Sequence, residues 1–229
     1  MPETISAVLF DIDGTLVDHR AAAAEAVTTT ASQDGSPVAD ALVEQWFALE
    51  RDAMDRYLAG ELTFTEQRRR RVRALANEFA LALSDDAAID AWFARYLTLY
   101  ENAWRPYPDA RPALEALTAR PGLRLGVITN GDSAQQHDKL HRTGLADLLP
   151  LVIVSSDIGE AKPSPRIFHT ACAELAIPPS QALYIGDDYR TDAQAAANAG
   201  LHPLWLNRTS IPAPGPLPQI PTLTALALP

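Results

Sequence analysis

Two aspartates, Asp11 and Asp13, stand two residues apart directly after the apolar run ISAVLF at residues 5–10. A carboxylate at the end of a buried strand can act as a nucleophile, and a second one beside it can transfer protons. Two carboxylates this close repel each other, so a cation should lie beside them, and Mg²⁺ fits because it favours carboxylate and water oxygens. The alternative is a plain turn, in which Gly14 supplies a positive φ angle.

A second polar group follows the apolar run LRLGVIT, in the segment VITNGDS. The hydroxyl of Thr129, the side chain of Asn130 and the amides around Gly131 should converge where a helix begins, which is a natural place for phosphate oxygens. The alternative is a turn that only caps the helix.

The segment GEAKPSPRIF places Lys162 before Pro163, which favours an extended backbone at the lysine. Ser164 can cap the next helix, with Pro165 in its first turn. Lys162 is then held on a stiff connection from which it can reach a phosphate, unless it is an ordinary exposed lysine.

The segment IGDDYRTD ends a fourth apolar run in two further aspartates. We expect Asp187 to complete a magnesium site with Asp11 and the backbone carbonyl of Asp13. Asp188 and Asp192 are expected to orient water or Lys162 around that site. Capping of a helix by these acids is the alternative.

The elements that must position these residues alternate along the chain. Apolar, β-branched runs predict strands at residues 5–10, 123–129, 151–156, 182–187 and 202–207. Helical spacing predicts helices at residues 110–119, 133–143, 165–175 and 191–199. This alternation predicts an α/β fold with a doubly wound, Rossmann-like parallel sheet, in which all four polar groups lie at the carboxyl edge.

Residues 18–104 interrupt the alternation, because this stretch is rich in Ala, Leu, Arg and Glu and contains no convincing strand. We predict four helices, with breaks near residues 34–37, 59–66 and 83–88, forming a cap inserted into a core of residues 1–17 and 105–229. The aromatic residues of the cap should form its own core. The arginines at residues 68–71 should cover a solvated helix face, and His19 and Arg20 are better placed than these to meet an anionic substrate.

Composition limits the remaining possibilities. The 229 residues are 47% hydrophobic and 21% charged, which is typical of a globular protein. The net charge of −10 disfavours nucleic acid or an acidic membrane as a partner. The single cysteine, Cys172, excludes an intramolecular disulfide, and no apolar run is long enough for a membrane span, so we expect a cytoplasmic protein. The Pro-rich tail from residue 211 is expected to be a loop and a short terminal helix.

Together the motifs DIDGTL, VITNG, AKPSPRIF and GDDYRTD resemble the haloacid dehalogenase (HAD) superfamily, in its phosphatase branch with a helical cap after the first motif. The resemblance implies a Mg²⁺-dependent phosphatase in which Asp11 attacks phosphorus to form an aspartyl-phosphate. Asp13 protonates the leaving oxygen and then activates water, while Thr129 and Lys162 stabilise the phosphoryl charge. Thr129, Asn130, Gly131 and Lys162 are the implied substrate-binding residues.

Several functions remain open within this resemblance. The substrate is expected to be a small phosphorylated metabolite, such as a nucleotide 5'-monophosphate, phosphoglycolate or a sugar phosphate. The protein is expected to be a monomer or a homodimer. A phosphomutase is an alternative. A 2-haloacid dehalogenase is less favoured, because the dehalogenases of the superfamily have a non-acidic residue at the position of Asp13. A phospho-accepting signalling domain would lack the second aspartate and the cap.

Overall fold

The computed structural model describes residues 5–35 and 40–227, and its internal contacts divide the chain into two compact units. The first, which we call the sheet unit, contains the residues up to Asp18 and those from Arg105 onward. The second, the helical unit, is His19–Trp104.

The sheet unit is built on six parallel strands in the order β3-β2-β1-β4-β5-β6. They are β1 (Ala7–Phe10), β2 (Arg124–Thr129), β3 (Leu151–Val154), β4 (Ala182–Gly186), β5 (His202–Leu206) and β6 (Gln219–Ile220). Crossovers leave β1 in both directions, which confirms the predicted doubly wound sheet. The central strands β1 and β4 are buried along their whole length.

Strand β6 corrects the expectation of a loop throughout the Pro-rich tail. Two residues of the tail pair with the far side of β5, where Trp205 faces Gln219. The strand is too short for an alternating pattern, and the prolines around it favour a loop by propensity, so tertiary pairing decides its structure. The expected terminal helix is a single 3₁₀ turn at Leu223–Ala225.

The helical unit contains α1 (His19–Gln33), α2 (Asp40–Leu58), α3 (Phe64–Phe79) and α4 (Asp86–Asn102). Thr63 and Glu66 form a capping box at the start of α3, and Asp85 caps α4. The predicted breaks near residues 59–66 and 83–88 are therefore confirmed. The first predicted break includes Ser36 and Pro37, which lie outside the described residues.

Aromatic side chains fill the core of the helical unit, as expected from its sequence. Trp46 and Trp92 are fully buried, and the indole N–H of Trp46 donates a hydrogen bond to the Tyr96 hydroxyl at 3.2 Å. Among the described residues, no helix combines the length and apolar character that crossing a bilayer requires.

The arginine run does not lie wholly on a solvated face. Arg69 and Arg70 form ion pairs at the surface, but Arg71 is buried, with its guanidinium 4.2 Å from the centre of the Trp46 ring. Arg71 donates to Glu50 at 2.7 Å, and the other carboxylate oxygen of Glu50 lies 3.0 Å from His19. The prediction of a solvated face is thus wrong for Arg71, because a buried carboxylate offsets its charge.

The described helices of the sheet unit are α5 (Ala110–Thr118), α6 (Ser133–Arg142), α7 (Ser155–Ile158), α8 (Pro165–Glu174) and α9 (Ala195–Asn198). The regular helix predicted at residues 191–199 is wrong in its first half, where Tyr189–Gln194 forms a π-helix. The wider turn is marked by the bond from the N–H of Ala193 to the carbonyl of Asp188. It directs the carboxylate of Asp192 inward, towards the carboxyl ends of the strands.

The chain leaves and re-enters the sheet unit at neighbouring points. The N–H of Asp18 donates to the carbonyl of Arg105 at 3.0 Å, and Val17 pairs with Pro106. The N–H of Tyr107 donates to the carbonyl of Leu16 at 2.9 Å. The two connections to the helical unit are therefore joined to each other by backbone hydrogen bonds.

Candidate active site

Strand register brings the first and fourth motifs together. Phe10, the last residue of β1, pairs with Ile185 of β4 on one side and with Val127 of β2 on the other. The N–H of Asp11 continues the ladder by donating to the Ile185 carbonyl at 2.9 Å. Asp11 and Asp187 therefore leave adjacent parallel strands at the same edge of the sheet.

Three carboxylates meet at this edge. Asp11, Asp187 and Asp192 each offer an oxygen within 4.8 Å of the others, an arrangement that could hold a metal ion. Gly14 lies directly against this cluster, since a Cβ atom built on it would come within 2.3 Å of a carboxylate oxygen of Asp187. The indole N–H of Trp205 donates to the backbone carbonyl of Asp187 at 2.7 Å and so supports the turn after β4.

Lys162 is buried among these acids. Its ammonium group donates to Asp11 and to Asp192, each at 2.6 Å, and to the Tyr184 hydroxyl at 2.9 Å. The backbone of Lys162 is held by Asn130, whose side-chain oxygen accepts from its N–H at 2.8 Å and whose amide donates to its carbonyl at 2.9 Å. Ser164 caps α8 as predicted, so the lysine stands on a connection that is fixed at both ends.

The electrostatics of the cluster follow from burial. Burial raises the pKa of Asp11 to about 7, while Lys162 opposes the shift and Asp192 adds to it. Burial and the neighbouring carboxylates raise the pKa of Asp187 well above its usual range. For Lys162, burial alone lowers the pKa, but Asp11 and Asp192 outweigh it and keep the pKa well above the ordinary value. If all of its carboxyl groups were ionised, the cluster would carry more negative charge than one ammonium group can stabilise.

The carboxylate of Asp13 lies outside this cluster. Lys139 of α6 donates to both of its oxygens, at 2.6 and 2.7 Å, and the amide of Gln136 donates to one of them at 3.1 Å. The metal contact predicted for Asp13 involves its backbone carbonyl. The side-chain bonds do not test that contact, so it stays a prediction.

The other predicted residues lie at the same edge of the sheet in varied settings. Thr129 is buried, and its hydroxyl accepts from Gln136 at 2.8 Å. The N–H of Gly131 donates to the Ser155 hydroxyl at 2.9 Å. The carboxylate of Asp188 caps the following turn, where it accepts from two backbone N–H groups.

Sequence reasoning missed Lys139 and Gln136, although a signal was present. In the otherwise polar helix α6, residues 136, 139 and 140 share one face, and Leu140 marks that face as buried. A lysine and a glutamine beside a buried leucine indicate polar groups that need partners inside the protein.

Comparison with known proteins places the chain among hydrolases. The sequence model for haloacid dehalogenase-like hydrolases matches residues 5–200. The chain therefore belongs to the haloacid dehalogenase-like hydrolase family, which confirms the resemblance drawn from its motifs.

One curated relative is named a phosphatase and another a nucleotidase. Glyceraldehyde 3-phosphate phosphatase of Methanopyrus kandleri is 31% identical over 206 residues, which cover 89% of this chain and 84% of that protein. Pyrimidine 5'-nucleotidase YjjG of Escherichia coli is 41% identical over 103 residues, and this match spans under half of each protein, 44% and 45%.

Solved structures share the fold over most of the chain. The HAD-hydrolase YfnB of Bacillus subtilis, in a crystal structure bound to magnesium, has a TM-score of 0.84 at 25% identity, with 97% of this chain and 96% of that chain covered. The L-2-haloacid dehalogenase PA0810 has a TM-score of 0.68 at 28% identity, with 88% and 83% covered. Proteins named for different activities therefore share this fold.

Proposed function

We propose that this hydrolase is a Mg²⁺-dependent phosphatase that removes phosphate from a small phosphomonoester through an aspartyl-phosphate on Asp11. The observation that carries the proposal is the buried cluster in which Lys162 lies 2.6 Å from Asp11, beside two further carboxylates. The names of the two curated relatives, a phosphatase and a 5'-nucleotidase, support the same reaction class.

The residues of the cluster fit a magnesium ion. The cluster offers carboxylate oxygens, the hard ligands that Mg²⁺ prefers, and burial with mutual repulsion raises the pKa values of Asp11 and Asp187. A divalent cation would relieve that repulsion. Asp11, Asp187 and the backbone carbonyl of Asp13 would hold it, and when bound it would stabilise negative charge on the transferring phosphoryl oxygens.

The residues of the chain then divide the reaction between them. A carboxylate oxygen of Asp11 forms a bond to phosphorus as the bond from phosphorus to the leaving oxygen breaks, and Asp13 gives that oxygen a proton. Asp13 next takes a proton from the water that attacks phosphorus, which breaks the bond to Asp11 and releases inorganic phosphate. Lys162 and Thr129 stabilise the phosphoryl oxygens throughout.

The surrounding residues keep these groups in place. Asn130 fixes the backbone of Lys162, and Asp192 directs its ammonium group towards Asp11. Asp188 shapes the turn that carries Asp192, since the Asp188 N–H donates to the Asp192 carboxylate at 3.0 Å. In this proposal Gly131 lies in the substrate-binding turn next to Thr129.

A small phosphorylated metabolite is the proposed substrate class, with nucleotide 5'-monophosphates and triose phosphates first in the panel to be tested. Carbon–halogen hydrolysis is the less favoured activity, because the dehalogenases of the superfamily have a non-acidic residue at the position of Asp13. In this chain the position is an acid, and Lys139 and Gln136 hold its carboxylate. A cytoplasmic location and a monomeric or homodimeric state stay predictions.

The test is phosphate release from nucleotide, sugar, triose and glycolate monophosphates, with Mg²⁺ or with EDTA. We expect Mg²⁺-dependent release and, in acid-quenched reactions with a ³²P-labelled substrate, label on Asp11. Asp11→Asn should abolish both signals, whereas Asp138→Asn, an exposed acid paired with Arg142, should retain them. Full turnover by Asp11→Asn, or chloride release from 2-haloacids without phosphate release, would contradict the proposal.

A further inference from the structure

The carboxylate of Asp13 is held at both of its oxygens by one helix. Lys139 approaches the two oxygens at 2.6 and 2.7 Å, and Gln136 approaches one of them at 3.1 Å. The two holding residues are three positions apart on α6, so they lie on the same helix face.

The two holding residues are more deeply buried than the group they hold. Lys139 is 1% exposed and Gln136 is 2% exposed, whereas the side chain of Asp13 is 28% exposed. A buried ammonium group is costly unless it is paired, so the lysine is tied to the carboxylate near it. Two buried side chains therefore hold the carboxylate from one side. Its other side is exposed to solvent, where a substrate can approach.

Gln136 also connects Asp13 to the end of β2. Its amide nitrogen lies 2.8 Å from the Thr129 hydroxyl and 3.1 Å from the carbonyl of Asn130. An amide nitrogen has two N–H donors, which these acceptors and Asp13 must share. The position of the Asp13 carboxylate is thereby coupled to the residues proposed to bind phosphate.

We infer that Lys139 and Gln136 are positioning residues for the reaction: they fix the direction of the Asp13 carboxylate so that it faces the leaving oxygen of the substrate. This inference rests on the proposed function, since it assumes that Asp13 transfers a proton to the leaving group. Neither residue touches the reacting atoms in this role, and both act through Asp13.

The leaving group of the substrate provides the readout. A nitrophenolate departs readily without a proton, whereas an alkoxide needs one, so loss of the proton donor harms alkyl phosphates far more than nitrophenyl phosphate. The ratio kcat/KM reports substrate binding and the first phosphoryl transfer and does not include the later attack of water.

Lys139→Met keeps the length of the side chain and removes its charge. We expect it to lower kcat/KM about 100-fold for the best alkyl phosphate in the panel, and under 10-fold for p-nitrophenyl phosphate. Gln136→Met, a milder change, should give the same pattern at about 10-fold, and it keeps the inference testable where Lys139→Met does not fold. Arg142→Met, on the exposed side of the same helix, is the matched control and should change neither value.

A double-mutant cycle completes the test. If Lys139 acts through Asp13, Lys139→Met should cost little once Asp13→Asn is present. Equal losses on both substrates, a gain on the alkyl phosphate, or additive losses in the cycle would overturn the inference while leaving the phosphatase assignment intact. If Asp13→Asn itself fails to distinguish the two substrates, its proposed acid role is wrong, and the inference fails with it.

Discussion

Replacement of Lys162 by methionine should destabilise the sheet unit by an amount that grows with pH. The substitution keeps the apolar stem and removes the charge that lies 2.6 Å from both Asp11 and Asp192. Removing one member of a buried charge pair costs about 3–5 kcal/mol, because the remaining charges are left uncompensated. The same loss should abolish phosphatase activity.

The pH dependence follows from the pKa of Asp11, which is about 7 with the lysine present and should rise further without it. Below pH 7 the carboxyl group is protonated in both folded proteins, so the cost stays near the lower value, about 3 kcal/mol. Above pH 7 Asp11 of the wild type is ionised in both the folded and the unfolded state, so its free energy of unfolding changes little further with pH. The folded variant keeps its proton while the unfolded chain does not, so its stability falls by about 1.4 kcal/mol per pH unit.

Amide hydrogen exchange in β1 and β4 measures the stability of the sheet unit alone. The exchange should be followed at pH 5, 7 and 8 in EDTA, with Arg166→Met as control, because Arg166 is an exposed residue at the start of α8. We expect the difference between Lys162→Met and wild type to be larger at pH 8 than at pH 5, and Mg²⁺ to reduce it at pH 8. An equal difference at pH 5 and pH 8 would refute the electrostatic account of the cluster.

Three further outcomes are expected. Binding of Mg²⁺ should release protons near pH 6, because the raised pKa values of Asp11 and Asp187 keep these ligands protonated, and the share released by Asp11 should fall above its pKa of about 7. Titration calorimetry in two buffers of different ionisation enthalpy measures this release. Gly14→Ala should weaken Mg²⁺ binding at least tenfold in the same calorimetry, whereas Gly122→Ala, with a similar positive φ angle but open space around it, should bind normally. In the helical unit, Arg71 and His19 outweigh burial and lower the pKa of Glu50 to about 2, so Glu50→Gln should cost about 3 kcal/mol in urea unfolding at pH 7. In the wild type the contribution of Glu50 to the free energy of unfolding should fall as the pH drops from about 4.5 towards 2. If Glu50→Gln is as stable as the wild type at pH 7, the buried ion pair does not stabilise the fold.

The strands of the sheet and most of its helices could be predicted because local pattern and tertiary position agree. Each central strand is a continuous apolar run, as burial on both faces requires, and the polar residues follow at the ends of those runs. Parallel register then brings Asp11 and Asp187 together without any further information. The pairing of Lys162 with Asp11 follows from the same logic, since Pro163 and Ser164 fix the connection that carries it.

Features that depend on a distant partner could not be predicted in this way. Strand β6 exists only because β5 offers an edge, and the π-helix exists where Asp192 turns inward to Lys162. The bond between Lys139 and Asp13 joins residues 126 positions apart, and a single sequence contains nothing that links them. Likewise, four adjacent arginines look alike in sequence, and only Glu50 makes one of them a core residue.

The backbone bond between Asp18 and Arg105 has a consequence for how such a protein can diversify. Because backbone hydrogen bonds join the two connections, the ends of the inserted segment are held together from the side of the sheet, whatever the length of the segment between them. Extending a closed loop costs free energy only logarithmically, by about 0.6 kcal/mol per doubling. A single contiguous segment can therefore be replaced by another of different length, while the strands that carry the acidic cluster keep their positions.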